Sequence, residues 1–255
     1  MQLQVHQFPC LNDNYGFLIH EPEAGLTATI DTPEVGPINA ALAEKGWQLT
    51  HILNTHHHFD HAGGNEALKK QWGCTVVGAE IDAERIPGID VKVRDGENFP
   101  FGASVAEVLE VPGHTSGHIA YYFAEDGKAF VGDTLFALGC GRLFEGSPQQ
   151  MWTSLQKLMA LPDDTEVYCA HEYTQANAAF ALTVEPQNEA LQARAEEIAQ
   201  LRAAGQPTVP TTIALEKATN PFLRPASETL QSTLGLQGAT LVDVFAETRK
   251  RKDHF

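Results

Sequence analysis

Seven residues, Thr55-His56-His57-His58-Phe59-Asp60-His61, hold four histidines and a carboxylate between the apolar run His51-Ile52-Leu53-Asn54 and a Gly63-Gly64 pair that opens into a helix. Burying that many polar groups without partners is costly, so the stretch is a poor core and a good metal site. If the chain past Asn54 is extended, His56 and His58 project to one side while His57 and Phe59 face the other. Asp60 and His61, at the start of the next helix, offer an oxygen and a nitrogen to a neighbouring point. Borderline divalent ions accept such a mixed set.

Three more candidates stand at later strand ends: His114 in Pro-Gly-His, Asp133 in Val-Gly-Asp-Thr and His171 in Cys-Ala-His-Glu. With His56, His58, Asp60 and His61 they make five histidines and two aspartates, more than one tetrahedral ion can use. The surplus suggests two divalent ions sharing a bridging carboxylate, about 3.5–4 Å apart. Zinc is the first expectation, and the same donors suit iron and manganese. His6, His20, His51 and His254 read as packed or surface residues. His118 either orients a ligand or is structural, and His57 serves neither ion.

A chain of 255 residues is long enough for a core without covalent staples, and no apolar stretch approaches the ~20 residues of a membrane span. The formal charge of −16 disfavours nucleic acid as a partner, because phosphate binding needs a basic footprint. Neither nucleic acid nor a membrane is expected to bind. The amino terminus lacks a basic leader and an apolar signal core, giving a cytoplasmic expectation. Cys10, Cys74, Cys140 and Cys169 are far apart and read as reduced, buried thiols. Against the acidic trend, Arg249-Lys250-Arg251-Lys252 places four cations in a row, which suits a solvated helix end.

Alternating and β-branched runs predict strands over 2–8, 17–20, 28–31, 51–54, 74–78, 103–111, 119–123, 128–131 and 166–170, with a hairpin turn at Asp126-Gly127. Helical spacing predicts helices over 33–45, 65–72 and 151–161, the first two closed by Gly46 and Gly73. Beyond residue 172 the texture changes to helices over 176–182, 189–204, 226–234 and 239–249 with no convincing strand between them. The expected organisation is a metal-binding catalytic domain over 1–172 and a helical, substrate-binding domain over 173–255.

The order His56-x-His58-x-Asp60-His61, His114, Asp133, His171 resembles the metallo-β-lactamase superfamily, whose α/β fold is a four-layer αββα sandwich with metals at the sheet ends. A narrower resemblance, to the glyoxalase II or hydroxyacylglutathione hydrolase family, runs nearly end to end. Its motifs are Asn12-Asp13-Asn14-Tyr15, Gly139 to Gly146, Ala170-His171-Glu172-Tyr173-Thr174, Asn220-Pro221-Phe222-Leu223-Arg224 and the tail from Arg249 to Phe255. The resemblance implies a C-terminal helical domain; a monomer is the expected state. It assigns His56, His58 and His114 to one metal, Asp60, His61 and His171 to the other, and Asp133 to both.

The reaction so implied is hydrolysis of S-(2-hydroxyacyl)glutathione thioesters, the second step of methylglyoxal detoxification. Glutathione contacts fall on Arg142, Phe144, Tyr173, Asn177, Arg249 and Lys252. Arg142 stands where some members carry Lys, and Phe144 where some carry Tyr, which leaves packing in place of a phenolic hydrogen bond. The chemistry needs a nucleophile at neutral pH, and metals lower the pKa of water from 15.7 to about 7. The expected attacker is a metal-bound hydroxide hydrogen-bonded to Asp60. The alternatives are a glutathione persulfide dioxygenase, another hydrolase of the superfamily, or a silent metal-binding module.

Overall fold

A short turn at 11–13 reverses the chain between β1 (Gln4–Cys10) and β2 (Asn14–Glu21), which pair antiparallel from Gln4↔His20 to Cys10↔Asn14. β3 (Leu26–Ile30) adds antiparallel to β2. The next connections carry helices, and the pairing switches to parallel, as crossover connections require. Helix α1 (Val35–Lys45) leads to β4 (His51–Leu53), and α2 (Phe59–Ala62) and α3 (Asn65–Trp72) lead to β5 (Thr75–Ala79). β6 (Val91–Val93) completes a six-stranded sheet in the order β1-β2-β3-β4-β5-β6. Four more strands, β7 (Asn98–Phe101), β8 (Ser104–Glu110), β9 (Ile119–Phe123) and β10 (Lys128–Gly132), form an antiparallel meander.

The computed structural model describes residues 3–255, so Gln2, the expected start of the first strand, lies outside the described residues. These divide into two units: residues 3–110 with Gly117–Gly132, and Val111–Ser116 with Asp133–Phe255. In the first unit the strands just named form two sheets with an apolar core. Phe17 of β2 meets Phe130 of β10 edge-on, 5.9 Å between ring centres, and the buried Tyr121 hydroxyl donates to the Asn54 carbonyl at 3.0 Å. Helices α1 and α3 cover the other side of the six-stranded sheet through Ile38, Leu42 and Leu68, packed on Leu18, Ile52 and Val76. Each such side chain contributes about 1.5–3 kcal/mol by leaving water.

The second unit holds a two-strand hairpin, β11 (Leu135–Phe136) with β12 (Gly139–Cys140), then α4 (Pro148–Met159) and β13 (Glu166–Cys169). A full capping box starts α4: the Ser147 hydroxyl accepts from the Gln150 N–H, and the Gln150 side chain returns to the Ser147 N–H. Then come α5 (Thr174–Val184), α6 (Glu189–Ala203), β14 (Thr211–Thr212), α7 (Ile213–Thr219), α8 (Glu228–Leu234) and α9 (Leu241–Asp253).

Several features differ from the sequence reading. The short strands β6, β7, β11 and β12 are unanticipated. The turn expected at Asp126-Gly127 is a longer loop, in which a 3-10 turn over Ala124–Asp126 precedes Gly127. Beyond residue 172, where helices alone are expected, β14 pairs antiparallel with β13 at Glu166↔Thr212 and Val167↔Thr211; two residues are too few to show alternation. Helix α7 is also unanticipated, because seven residues hold barely two turns of periodicity. Helix α9 continues to Asp253, so the four cations lie inside its final turns, where they oppose the negative end of the helix dipole.

Candidate metal centre

The histidine stretch leaves β4 at its C-terminal end and is pinned by buried hydrogen bonds of the first unit. Asp31, in a left-handed conformation with φ of 59° and nearly without solvent contact, accepts from the Thr55 N–H and hydroxyl, both at 2.7 Å, and from His61 Nδ1 at 2.8 Å. Asn54 Nδ2 donates to the His61 carbonyl at 2.8 Å, and the Thr55 carbonyl accepts from the Ile119 N–H at 2.9 Å. Donating Nδ1 to Asp31 fixes the His61 tautomer and leaves Nε2 as the lone-pair atom, 3.5 Å from Asp60 Oδ2. Asn14, from the turn-rich motif, donates to the same Asp60 oxygen at 3.2 Å.

His56 and His58 do face one point, with His56 Nε2 and His58 Nδ1 3.1 Å apart. His57 turns the other way, its Nδ1 3.0 Å from Oδ2 of the fully buried Asp82, which Arg85 Nε also contacts at 3.1 Å. The buried His118 ring stacks on His56, 4.6 Å between centres, and so backs that ligand candidate. Gly132 makes this packing possible: at φ of 48°, a Cβ would stand 2.5 Å from Thr55 Oγ1 and 2.8 Å from the His118 ring. His20 stacks on Trp47, His51 packs edge-on to Phe99 and Phe101, and His254 donates to the Lys250 carbonyl, in keeping with packed or surface roles.

The second unit supplies His114, Asp133 and His171. The Asp133 carboxylate turns Oδ2 toward His114 Nε2 and Oδ1 toward His171 Nε2, each at 3.4 Å. His114 Nδ1 donates to the Arg142 carbonyl at 2.9 Å, which leaves Nε2 as the lone-pair atom. Gly141 is required here, since a Cβ would lie 2.0 Å from the Asp133 carbonyl oxygen.

The substrate candidates fall in the same unit. Tyr173 lies flat on His171, 4.7 Å away and within 2° of parallel, and Phe136 meets both rings edge-on. Phe144 is 62% exposed and packs edge-on to His114, 5.1 Å between centres. Asn177, buried at the start of α5, donates to the Ala137 carbonyl at 3.1 Å. Arg249 and Lys252 stand one turn apart on α9, and Arg142 is exposed on its loop. Burial pushes the Lys252 amine below its ordinary range, helped by Arg249 and Arg142 and opposed by Asp253.

The residues fit a metal centre. In the first unit, ligand atoms of Asp31, His56 and His61 lie within 4.8 Å of one another, and Asp31 already serves Thr55 and the far side of His61. Imidazoles whose remote nitrogens are spoken for, with carboxylate oxygens between them, form an N/O set suited to borderline divalent ions. The sequence reading missed Asp31, Asp82 and the job of Asn14. For Asp31 the available signal was a carboxylate at a strand end followed by Thr32-Pro33.

Comparison with known proteins agrees. A family profile described as "Metallo-beta-lactamase superfamily" matches residues 23–171, and one described as "Hydroxyacylglutathione hydrolase C-terminus" matches residues 172–255. The chain is 58% identical over 253 residues to a hydroxyacylglutathione hydrolase of Methylococcus capsulatus, covering 99% of each. It is 56% identical to that of Maricaulis maris, covering 100% of this chain and 99% of the relative. Among solved structures it resembles ETHE1 from Myxococcus xanthus (TM-score 0.68, 27% identity, 99% and 100% covered). It also resembles TTHA1623 in a di-iron-bound form (TM-score 0.62, 25% identity, 86% and 100% covered). The chain therefore has the α/β metallo-β-lactamase fold with a helical C-terminal region and belongs to the hydroxyacylglutathione hydrolase family.

Proposed function

We propose that this chain hydrolyses S-(2-hydroxyacyl)glutathione thioesters, such as S-D-lactoylglutathione, to glutathione and a 2-hydroxy acid. The match of residues 172–255 to the hydroxyacylglutathione hydrolase C-terminus carries the substrate, and favours this reading over a persulfide dioxygenase. For the metals, support comes from Asp133, whose two oxygens address different imidazoles as a bridging carboxylate would. His56, His58 and His114 would hold one divalent ion, Asp60, His61 and His171 the other, with Asp133 shared and zinc the expected metal. When bound, the ions supply an activated water near neutral pH and polarise the thioester carbonyl.

The protein's own residues do the rest. Asp60, itself in the ligand set, is steadied by Asn14 at Oδ2 and keeps a proton-accepting carboxylate there. Tyr173 and Phe144 present ring faces for the peptide of the thioester. Arg142, Arg249 and Lys252 attract and orient its carboxylates, which the average surface of a chain carrying −16 would repel. Residues 1–172 thus carry the chemistry and 173–255 most of the recognition. The chain would work as a cytoplasmic monomer without nucleic acid or membrane; four free, buried cysteines suit a reducing compartment, and the charge of −16 disfavours nucleic acid.

Hydrolysis of S-D-lactoylglutathione, measured with metal content, tests the reading. Close to two ions per chain are expected, and His171→Ala should lose about one of them together with most activity; a fully active one-metal protein refutes the dinuclear site. Truncation after Thr248 should raise KM far more for the glutathione thioester than for a small neutral thioester. Equal effects would remove the tail from recognition, and oxygen uptake with a persulfide would establish the dioxygenase instead.

A further inference from the structure

The Arg249 guanidinium is already engaged on every side. Nη1 donates to the Cys140 carbonyl at 2.9 Å, and the Phe222 ring lies 5.0 Å from Cζ. The remaining edge, Nε and Nη2, closes on Asp253 at 3.0 and 2.8 Å, both nitrogens sharing the single oxygen Oδ1. The arginine side chain is 6% exposed and that of Asp253 is 39% exposed, so the carboxylate is the more solvent-accessible member of the pair. A ligand carboxylate that takes this edge must displace Asp253.

Two features make Asp253 displaceable. An arginine edge matches a carboxylate best when two nitrogens meet two oxygens, and Asp253 offers only one oxygen to both. Asp253, 39% exposed, is rehydrated as it leaves, and the incoming carboxylate keeps the buried guanidinium paired, so the exchange leaves neither charge buried alone. Lys252, repelled by Arg249 and Arg142, has Asp253 as a local counter-charge.

We propose that Asp253 is an internal competitor for the carboxylate site on Arg249. The incoming peptide carboxylate takes over the Nε/Nη2 edge with both oxygens, Asp253 swings into solvent, and binding is an exchange of one carboxylate for another. Asp253 therefore sets the affinity for the anionic substrate. This rests on the reading of Arg249 as a glutathione contact.

The test uses the full chain with Asp253→Asn and Asp253→Ala, folding being checked by thermal melting. Asparagine keeps an acceptor for Arg249 but removes the competing charge; alanine removes both. The affinity for S-methylglutathione, read by calorimetry, should rise at least threefold in both variants. The KM ratio of glutathione thioester to small neutral thioester should fall by a similar factor. A residue that only braces Arg249 gives the opposite pattern: near wild-type behaviour for asparagine and weaker binding for alanine. That result, or unchanged binding in both variants, overturns the proposal. If the wild type binds S-methylglutathione but hydrolyses no thioester, the proposed function fails while the calorimetric comparison still decides the role of Asp253. If neither wild type nor variants bind it, the competition fails too.

Discussion

Asp31 shows how one side chain can govern a site it does not complete. Its carboxylate accepts three bonds, two from Thr55 and one from His61, in a backbone conformation that non-glycine residues rarely hold. Asp31→Ala leaves the buried Thr55 N–H without its acceptor and frees the His61 ring. The expected outcome is a loss of about 1–3 kcal/mol in urea denaturation. Metal affinity should fall about 10–100-fold, read by competition with a chelator. The ligand candidates themselves are legible in the sequence because histidines and aspartate crowded at such short spacing suit little besides a metal. Asp31 is not, because a lone carboxylate at a strand end suits many roles. The same holds for His57: its alternation away from His56 and His58 can be read, but its partner Asp82 lies 25 residues away in sequence.

Among the elements, the β11–β12 hairpin depends on the helical segment that follows it in sequence. Asn220 Nδ2 donates to the carbonyls of Phe136 and Gly139 and to Glu216, and Glu216 in turn accepts from the Leu138 N–H and pairs with the buried Arg194. Asn220→Ala strands two hairpin carbonyls and should cost about 1–3 kcal/mol in chemical denaturation. Long, periodic elements such as α6 and the Phe123–Lys128 hairpin are legible because many residues vote for one period. Strands β11, β12 and β14, with two residues each, exist only through what they pair with. Family resemblance marks Asn220 as part of a motif, but only the contacts give it a job.

At the scale of the whole molecule, acid should be the weak side of the stability profile. Burial holds His51 and His6 below their ordinary 6.5, so the unfolded chain takes up protons first. Stability from these groups is complete above pH 6.5 and is lost as pH falls toward their folded values. Glu21, held below 4.5 chiefly by the Ala24 N–H, and Asp90, held below 3.8 chiefly by Lys69, act in the same direction at lower pH. Urea midpoints should therefore hold above about pH 6.5, decline as pH falls below it and decline again below about 4.5; a midpoint that rises on acidification would contradict the sign. The cations of α9 carry a different kind of consequence. Arg249 and Lys252 belong to the last turn and a half of a helix, where hydrogen bonds fray most readily. If Arg249 and Lys252 hold the ligand as proposed, only the wound fraction of chains presents both charges on one face, and the apparent affinity is the intrinsic value scaled by the order of that turn. A ligand grasping the two cations would then also act as the cap that keeps the helix end wound.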